Sequence, residues 1–287
     1  MRTVFEKACA KINICLDIVG IRDDGYHEIR SVMQCVAFGD DVTVGVSEEK
    51  GIHLTCSDSS LPTDEKNLAY KAALAFFEYT DTYLDIDVYV KKNVPDKAGL
   101  AGGSADAAAV LRALNRLSEI NLSDEELRKI AERIGSDVVF CVSSDPSFVS
   151  GRGEIIEECG GLPDCYIVLA KSDDGMKTPE AYRALDELYG DYSSRNGGAE
   201  KCRDAMYGEL SEIKEHAFNI FESVIIPKRP AVQSLKDSLY ESGAVLAMMS
   251  GSGSAVFGIF EDEECAIAAE KKIKESGAFA VSCRPLS

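Results

Sequence analysis

The sequence lacks a long apolar run. No stretch of its 287 residues approaches the about 18 apolar residues that cross a bilayer. The opening residues, Met1 to Glu6, lack the apolar core of a secretion signal. The ten cysteines include no C-x-x-C pair, and we interpret them as buried free thiols rather than metal ligands or disulfides. These absences argue against a membrane-spanning or disulfide-rich class, and we expect a protein of the reducing cytoplasm.

Positive charge is scarce. The chain has 31 Lys and Arg residues against 49 Asp and Glu residues, a formal net charge of -18. A surface of that sign repels polyanions, which argues against nucleic acid or an anionic membrane as a partner. Phosphate groups can still bind where amides, a lysine or a divalent cation act locally, because salt screens diffuse charge beyond about 10 Å.

The common nucleotide-binding signatures are also missing. The chain has no G-x-x-x-x-G-K-[ST] motif and no H-R-D segment followed by D-F-G. Its short glycine pairs, Gly151-Arg152-Gly153 and Gly251-Ser252-Gly253, lack the third glycine of a dinucleotide-binding fingerprint. Walker-type, protein-kinase and Rossmann sites are therefore excluded.

The patterns that are present predict an α+β protein of two domains. At 287 residues the chain exceeds the size at which one core usually suffices. Residues 83–90 alternate as in a strand, residues 66–79 have a helical period, and Ser123 to Glu126 forms a capping box that opens a helix. A composition break near Cys159 to Pro163 predicts the domain boundary, with domains at 1–160 and 161–287.

A glycine-rich loop runs directly into a helix. Its three glycines let the backbone approach a ligand closely, and the residues from Ser104 onward are helix formers. The first amides of a helix lack internal partners and lie at the positive end of its dipole, so the junction can bind a triphosphate. The alternative is a small-residue turn that packs the helix tightly on a sheet. The loop consists of Pro95, Asp96, Lys97, Ala98, Gly99, Leu100, Ala101, Gly102, Gly103, Ser104 and Ala105.

A second informative segment lies near the N-terminus. Residues 10–18 alternate as in a strand, with Lys11 and Asn13 on one face. A lysine on a buried strand is costly unless it meets a carboxylate or a phosphate, so Lys11 is a site candidate. The alternative is a solvated lysine on an edge strand. The loop that follows contains Tyr26 and His27, an aromatic face and a ring that can form hydrogen bonds, although aromatic residues in surface loops are by themselves ambiguous.

Several motifs together resemble the GHMP kinase superfamily. They are A-K-I-N, D-G-Y-H and P-x-x-A-G-L-A-G-G-S-A-D-A-A, and similar segments continue at residues 134–140, 151–154, 177–182 and 249–257. The resemblance covers nearly the whole chain. The sequence departs from the family's pattern at Val139, at Asp96-Lys97 and at Ile220, and none of these positions carries a reacting group.

The resemblance implies a fold and a cofactor. We expect the two-domain GHMP kinase fold, with an N-terminal domain like domain 2 of ribosomal protein S5, a ferredoxin-like C-terminal domain, and an active site in the cleft between them. The donor is expected to be ATP with magnesium. The loop amides are expected to hold the β- and γ-phosphates, and the Ser104 hydroxyl is expected to meet the phosphates or the magnesium. A plain helix N-cap is the alternative for Ser104.

The resemblance also assigns substrate contacts. It implies that Tyr26 and His27 contact a cytidine group, that Asn13 lies among the substrate contacts, and that Tyr182 is a second stacking face. The expected partner is therefore a small-molecule alcohol that carries cytidine diphosphate, with no nucleic acid or membrane partner. We expect a monomer or a weak homodimer.

Asp137 fits the role of the catalytic carboxylate. Phosphoryl transfer to an alcohol requires a group that accepts the hydroxyl proton. Asp137 follows Gly135 at the mouth of an apolar run, Val138 to Val142, which we predict to be a strand. The resemblance places Lys11 beside it, where the lysine would keep the carboxylate ionised. The alternative is an aspartate that only caps the strand end.

Two other functions remain open at this point. Another small-molecule kinase of the superfamily, acting on homoserine or a mevalonate derivative, would keep the loop but would not need Tyr26 and His27. A nucleotide-binding regulator without activity would lack Lys11 or Asp137, and this chain has both.

Overall fold

The computed structural model describes residues 2–192 and 197–286, which form strands and helices in both halves of the chain. The strands are β1 Thr3–Ile21, β2 His27–Val46, β3 Ile52–Cys56, β4 Ile86–Lys91, β5 Ser147–Ser150, β6 Ile155–Glu158, β7 Tyr166–Lys171, β8 Phe218–Asn219, β9 Leu246–Met249, β10 Ala255–Phe260 and β11 Phe279–Cys283. The α-helices are α1 Leu68–Thr80, α2 Gly102–Ser118, α3 Asp124–Ala131, α4 Ser136–Ser143, α5 Thr178–Tyr189, α6 Gly198–Ala205, α7 Leu210–His216, α8 Glu222–Ile225, α9 Pro230–Glu241 and α10 Glu263–Glu275. Among the described residues, no helix is long and apolar enough to cross a bilayer.

The chain divides into two compact units. Unit 1 comprises Met1–Ala10, Phe38–Asp96 and Ala101–Ser144, and unit 2 comprises Lys11–Ala37, Lys97–Leu100 and Asp145–Ser287. The long strands β1 and β2 therefore contribute residues to both units. A boundary between residues 160 and 161 stays a prediction.

Unit 1 is a sheet covered by helices. The second part of β2 pairs antiparallel with β4, and β4 pairs parallel with β3. Helix α2 packs against α1 and α4, and its alanines at 105, 107, 108 and 109 are at most 2% exposed. Small side chains let the helix axes approach closely, so α2 lies at the centre of this core. The capping box at Ser123 and Glu126 is confirmed at the start of α3.

Unit 2 contains a separate antiparallel sheet in the order β11-β7-β10-β9. Helices α9 and α10 pack against its strands, which bury apolar residues from Ile167 to Ala170 and from Ala255 to Phe260. In the same unit, β5 pairs antiparallel with the first part of β2 and with β6, and β8 pairs parallel with β1 at Cys15 and Leu16.

Two sequence expectations are wrong. Residues 138–142 form part of helix α4 rather than a strand. All five are buried, and a short apolar run that is buried on every side shows no period that separates a strand from a helix. None of the ten cysteines forms a disulfide, as expected, but only five are buried: four are partly exposed and Cys265 is exposed.

Candidate active site

The start of α2 has the features of an anion site. The helix begins at Gly102, and the residue before it, Ala101, has a left-handed backbone with φ 56° and supplies no side-chain cap. A Cβ on Gly103 would find only Leu68 Cδ1, at 3.9 Å, so the space over this first turn is open. Ser104 is half-buried in the same turn. The first amides are therefore available to an anion, and their dipole favours negative charge.

The middle of the loop, Lys97–Leu100, is held by backbone contacts within unit 2. The Lys11 amide donates to the Leu100 carbonyl at 3.1 Å, and the Ala255 amide donates to the Ala98 carbonyl at 3.0 Å. Gly99 has φ 78°, and a Cβ there would lie 2.2 Å from the carbonyl oxygen of Ser250. Only glycine fits at this position, because both the backbone conformation and the close approach exclude a side chain.

A buried charge cluster in unit 1 connects the loop entrance to α2. Lys92 forms ion pairs with Asp40 and with Asp106, the second at 2.6 Å. Asp40 also accepts a hydrogen bond from the Val94 amide at 2.8 Å. The cluster thus joins the residues just before Pro95 to the second turn of α2. Sequence reasoning missed these three residues, although a lysine three positions before the loop proline and an aspartate inside an alanine-rich helix are unusual enough to find them.

The cluster changes the acidity of its members. Burial raises the pKa of Asp106 to about 7; the Lys92 charge opposes this change and Asp40 adds to it. Burial lowers the pKa of Lys92, but the charges of Asp106 and Asp40 outweigh that effect, so the pKa of Lys92 is raised. Asp106 Oδ1 is buried without a hydrogen-bond partner among the described residues. An ionised carboxylate oxygen that is buried without a partner costs free energy. The effect of burial on the pKa of Asp106 therefore exceeds the opposite effect of Lys92.

Lys11 lies on β1 and is 3% exposed. The alternative of a solvated edge-strand lysine is therefore wrong. Lys11 Nζ donates to Asn13 Oδ1 at 2.7 Å, and the Gly251 amide donates to the same oxygen at 2.9 Å. Within the described part of unit 2, no carboxylate forms an ion pair with Lys11. A buried ammonium with a neutral partner gains from binding an anion.

Asp137 lies in the first turn of α4, after the N-cap residue Gly135. The strand-end interpretation is wrong because this segment is helical. Asp137 is half-buried, and a carboxylate in the first turn interacts favourably with the helix dipole.

An aromatic group lies in unit 2 around His27. The His27 and Tyr182 ring centroids are 4.6 Å apart, and Tyr182 meets Phe221 edge to face at 5.0 Å. Tyr26 is 58% exposed, with the Arg152 guanidinium carbon 5.2 Å from its ring centroid. The structure therefore brings His27 and Tyr182 together, and it leaves the Tyr26 ring open to solvent.

Known proteins resemble this chain over most of its length. The family model described as "GHMP kinases N terminal domain" matches residues 67–145, and "GHMP kinases C terminal" matches residues 198–278. A protein of Macrococcus caseolyticus named 4-diphosphocytidyl-2-C-methyl-D-erythritol kinase is 40% identical over 261 residues, 91% of each chain. A protein of the same name from Syntrophomonas wolfei is 39% identical over 274 residues, 95% of each chain.

The chain belongs to the GHMP kinase family. A crystal structure of a 4-(cytidine 5'-diphospho)-2C-methyl-D-erythritol kinase also superposes with a TM-score of 0.83 at 28% identity, covering 99% of this chain and 100% of that one. The α+β GHMP kinase fold predicted from the resemblance is thus confirmed. The protein is a small-molecule kinase, and a kinase of this family uses ATP as its nucleotide.

In this GHMP kinase the N-terminal family match includes the glycine-rich loop, Asp137 and two members of the buried charge cluster, Lys92 and Asp106. Sequence reasoning also missed Asp186 and Tyr192, which surround His27. The only signal for Asp186 is its position four residues after Tyr182, which places both on one face of α5.

Proposed function

We propose that this kinase transfers the γ-phosphoryl group of ATP to the 2-hydroxyl of 4-diphosphocytidyl-2-C-methyl-D-erythritol. The products are the 2-phosphate and ADP, in the non-mevalonate route to isoprenoid precursors. The observation that carries the proposal is the pair of rings His27 and Tyr182, with the exposed Tyr26 beside His27 in sequence, in a chain whose 39–40% identical relatives are named for this substrate. A phosphate loop alone would suit any kinase of the family.

The loop is the proposed site of the phosphates. The amides of Gly102 and Gly103 have no side-chain cap in the way, and the space over Gly103 is open. These features fit the triphosphate of ATP, which supplies the group to be transferred. The remaining loop residues, from Pro95 to Leu100 and Ala105, are proposed to shape this cradle through the backbone contacts of Gly99 and Leu100.

Magnesium is proposed to accompany ATP. Among the described residues, no group of three or more His, Cys, Asp or Glu side chains could hold a metal ion. We therefore propose that Mg²⁺ is bound mainly through phosphate oxygens and water, as it commonly is, and that Ser104 supplies one hydroxyl.

Asp137 and Lys11 are proposed as the catalytic residues. Asp137 would accept the proton of the attacking hydroxyl, and its carboxylate forms no ion pair within the described part of unit 1 that would compete for it. Lys11 would place positive charge near the transferred group, since within the described residues its buried ammonium has the neutral Asn13 as its side-chain partner. Asn13 would then orient Lys11 and lie beside the substrate.

Tyr26, His27 and Tyr182 are proposed to bind the cytidine. The exposed Tyr26 ring offers a stacking face, and Tyr182 offers another beside His27. We further propose that the enzyme works in the cytoplasm, as a monomer or a weak homodimer, without a nucleic acid or membrane partner. A net charge of -18 and ten free thiols support this setting.

One assay tests the proposed function. The protein is incubated with ATP, magnesium and the cytidyl substrate, and ADP formation is compared with parallel reactions on homoserine and mevalonate. We expect turnover with the cytidyl substrate only. Turnover with homoserine or mevalonate instead would assign another activity of the family, and no turnover with any of the three would refute the proposed reaction.

A further inference from the structure

A buried asparagine, Asn219, holds a glycine-containing turn of unit 2. It lies at the end of β8. Its Nδ2 donates to the carbonyl oxygens of Met249 and Gly251, each at 2.9 Å, and its Oδ1 accepts from the Phe221 amide at 3.0 Å. Met249 ends β9, and Gly251 lies in residues 250–254, the β9–β10 turn. One side chain therefore fixes both the entrance and the interior of that turn.

All three hydrogen bonds require an amide side chain. The Phe221 N–H only donates, so it needs an oxygen, whereas the two carbonyls only accept, so each needs an N–H. An aspartate of the same shape offers no donor when it is ionised and only one when it is protonated. Buried polar groups that lose their partners cost free energy. Position 219 is therefore specified by hydrogen bonding as well as by size.

The β9–β10 turn bonds to two parts of the candidate site. The Gly251 amide donates to Asn13 Oδ1 at 2.9 Å, and the Ser250 hydroxyl donates to the Gly99 carbonyl at 2.9 Å. A Cβ on Gly251 would lie 3.0 Å from the Gly99 oxygen, so the backbones of the turn and of the glycine-rich loop lie close together. The turn therefore connects β1 to the loop within unit 2.

Asn13 transmits this order to Lys11. Its Nδ2 donates to Ser31 Oγ at 2.8 Å, so the Asn13 amide cannot turn over without losing partners. Its Oδ1 accepts from the Gly251 amide and from Lys11 Nζ, the second at 2.7 Å. A lysine side chain loses much rotamer freedom when it is fixed, and an acceptor that is itself held in place makes the fixed position more favourable.

We propose that Asn219 is a positioning residue for phosphoryl transfer. It holds the β9–β10 turn against Asn13, and the Asn13 oxygen then holds the Lys11 ammonium. The inference rests on the proposed function, because it takes Lys11 to be catalytic. A charge stabilises a transition state best when it is in position before the reaction, so the loss of Asn219 should lower kcat rather than affinity for ATP.

The first test measures kcat with and without the lysine. In Asn219→Asp we expect kcat to fall by at least about tenfold, with the KM for ATP within about threefold. ATP binding is spared because the Lys11 and Ala255 amides still hold the loop. Lys11→Met has already lost the ammonium, so adding Asn219→Asp to it should lower kcat by no more than about twofold.

Asn115→Asp is the matched control. The Asn115 side chain also bonds to backbone, since it donates to the Leu122 carbonyl at 2.9 Å and accepts from the Leu122 amide at 2.7 Å. The same replacement in unit 1 should therefore lower the melting temperature and leave kcat unchanged. Thermal melting shows whether each variant is folded. Asn219→Ser, whose side chain is too short to span the three partners, carries the same expectations if Asn219→Asp does not fold.

The second test observes the turn and needs no substrate. Nitrogen-15 labelling of the 23 glycines lets NMR follow hydrogen exchange at the Gly251 amide. We expect slow exchange in the wild type, exchange at least about tenfold faster in Asn219→Asp, and no change in Asn115→Asp.

The outcomes separate the two proposals. Near-normal kcat in folded Asn219→Asp, or an unchanged exchange rate at Gly251, would overturn the role of Asn219. A loss of kcat by the same factor with and without the Lys11 ammonium would also overturn it, since that pattern indicates general structural support. If the wild type does not use the cytidyl substrate at all, the proposed function fails, and the exchange rate still decides whether Asn219 holds the turn.

Discussion

A valine at Gly103 separates the proposed binding role of the glycine-rich loop from its structural role. Gly103 is exposed in the first turn of α2, and an added Cβ would make only an ordinary contact with Leu68 Cδ1 at 3.9 Å. Glycine is a poor helix residue, so Gly103→Val should leave the free energy of unfolding unchanged or raise it by roughly a few tenths of a kcal/mol. The fold therefore tolerates the change.

The same valine should prevent nucleotide binding. Its branched side chain would stand over the amides that we propose to hold the β- and γ-phosphates. We expect affinity for a nonhydrolysable ATP analogue to fall by at least about 100-fold, or roughly 2.7 kcal/mol. Isothermal titration calorimetry measures the affinity, and thermal melting without nucleotide measures the fold.

Two further variants complete the experiment. Ser118→Val, at the other end of α2, should leave ATP affinity unchanged. Gly99→Ala should instead destabilise the protein, because its Cβ would lie 2.2 Å from a carbonyl oxygen. If Gly103→Val is folded and binds the analogue as tightly as the wild type, the loop does not hold the phosphates and the alternative of a purely structural turn is correct.

The remaining predictions address the chemistry, the cytidine and the buried cluster. Asp137→Asn should lower kcat by about 100-fold or more with ATP affinity close to wild type, as expected for a lost general base; near-normal turnover in steady-state kinetics would exclude Asp137. Lys11→Met should also lower kcat, and the double variant should lose less than the sum of the two in free energy, because the residues act together. Tyr26→Ala should raise the KM for the cytidyl substrate by a factor that corresponds to roughly 1 to 3 kcal/mol of lost stacking, while the KM for ATP stays constant. An equal loss on a substrate without cytosine would mean that Tyr26 only supports the fold. Folded Asp106 has its pKa raised from 3.8 to about 7, so the stability it contributes is present in full below 3.8 and is lost as the pH rises through 7. In urea denaturation without nucleotide, stability should therefore fall between pH 5.5 and 7 by at most about 2 kcal/mol. Asp106→Asn should remove most of that slope, and an identical slope in the variant would contradict the assignment.

The sequence by itself determined the features that depend on neighbouring residues. The glycine-rich segment before the alanine-rich run predicted the start of α2 to within two residues, at Gly102 rather than Ser104. The capping box at Ser123 was also predictable, because its two hydrogen bonds join residues three positions apart. Alternation around Lys11 indicated a strand, and the cost of burying a lysine marked it as unusual.

The tertiary structure decided what depends on distant contacts. The run from Val138 to Val142 became a helix because it is buried on all sides, which erases the period that would distinguish it from a strand. Lys92 and Asp40 are 52 residues apart, and His27 and Asp186 are 159 apart. No local pattern links such positions, because each side chain is common on its own. Only the fold brings them together: it buries Asp40 beside Lys92, and it places the partly exposed Asp186 beside His27.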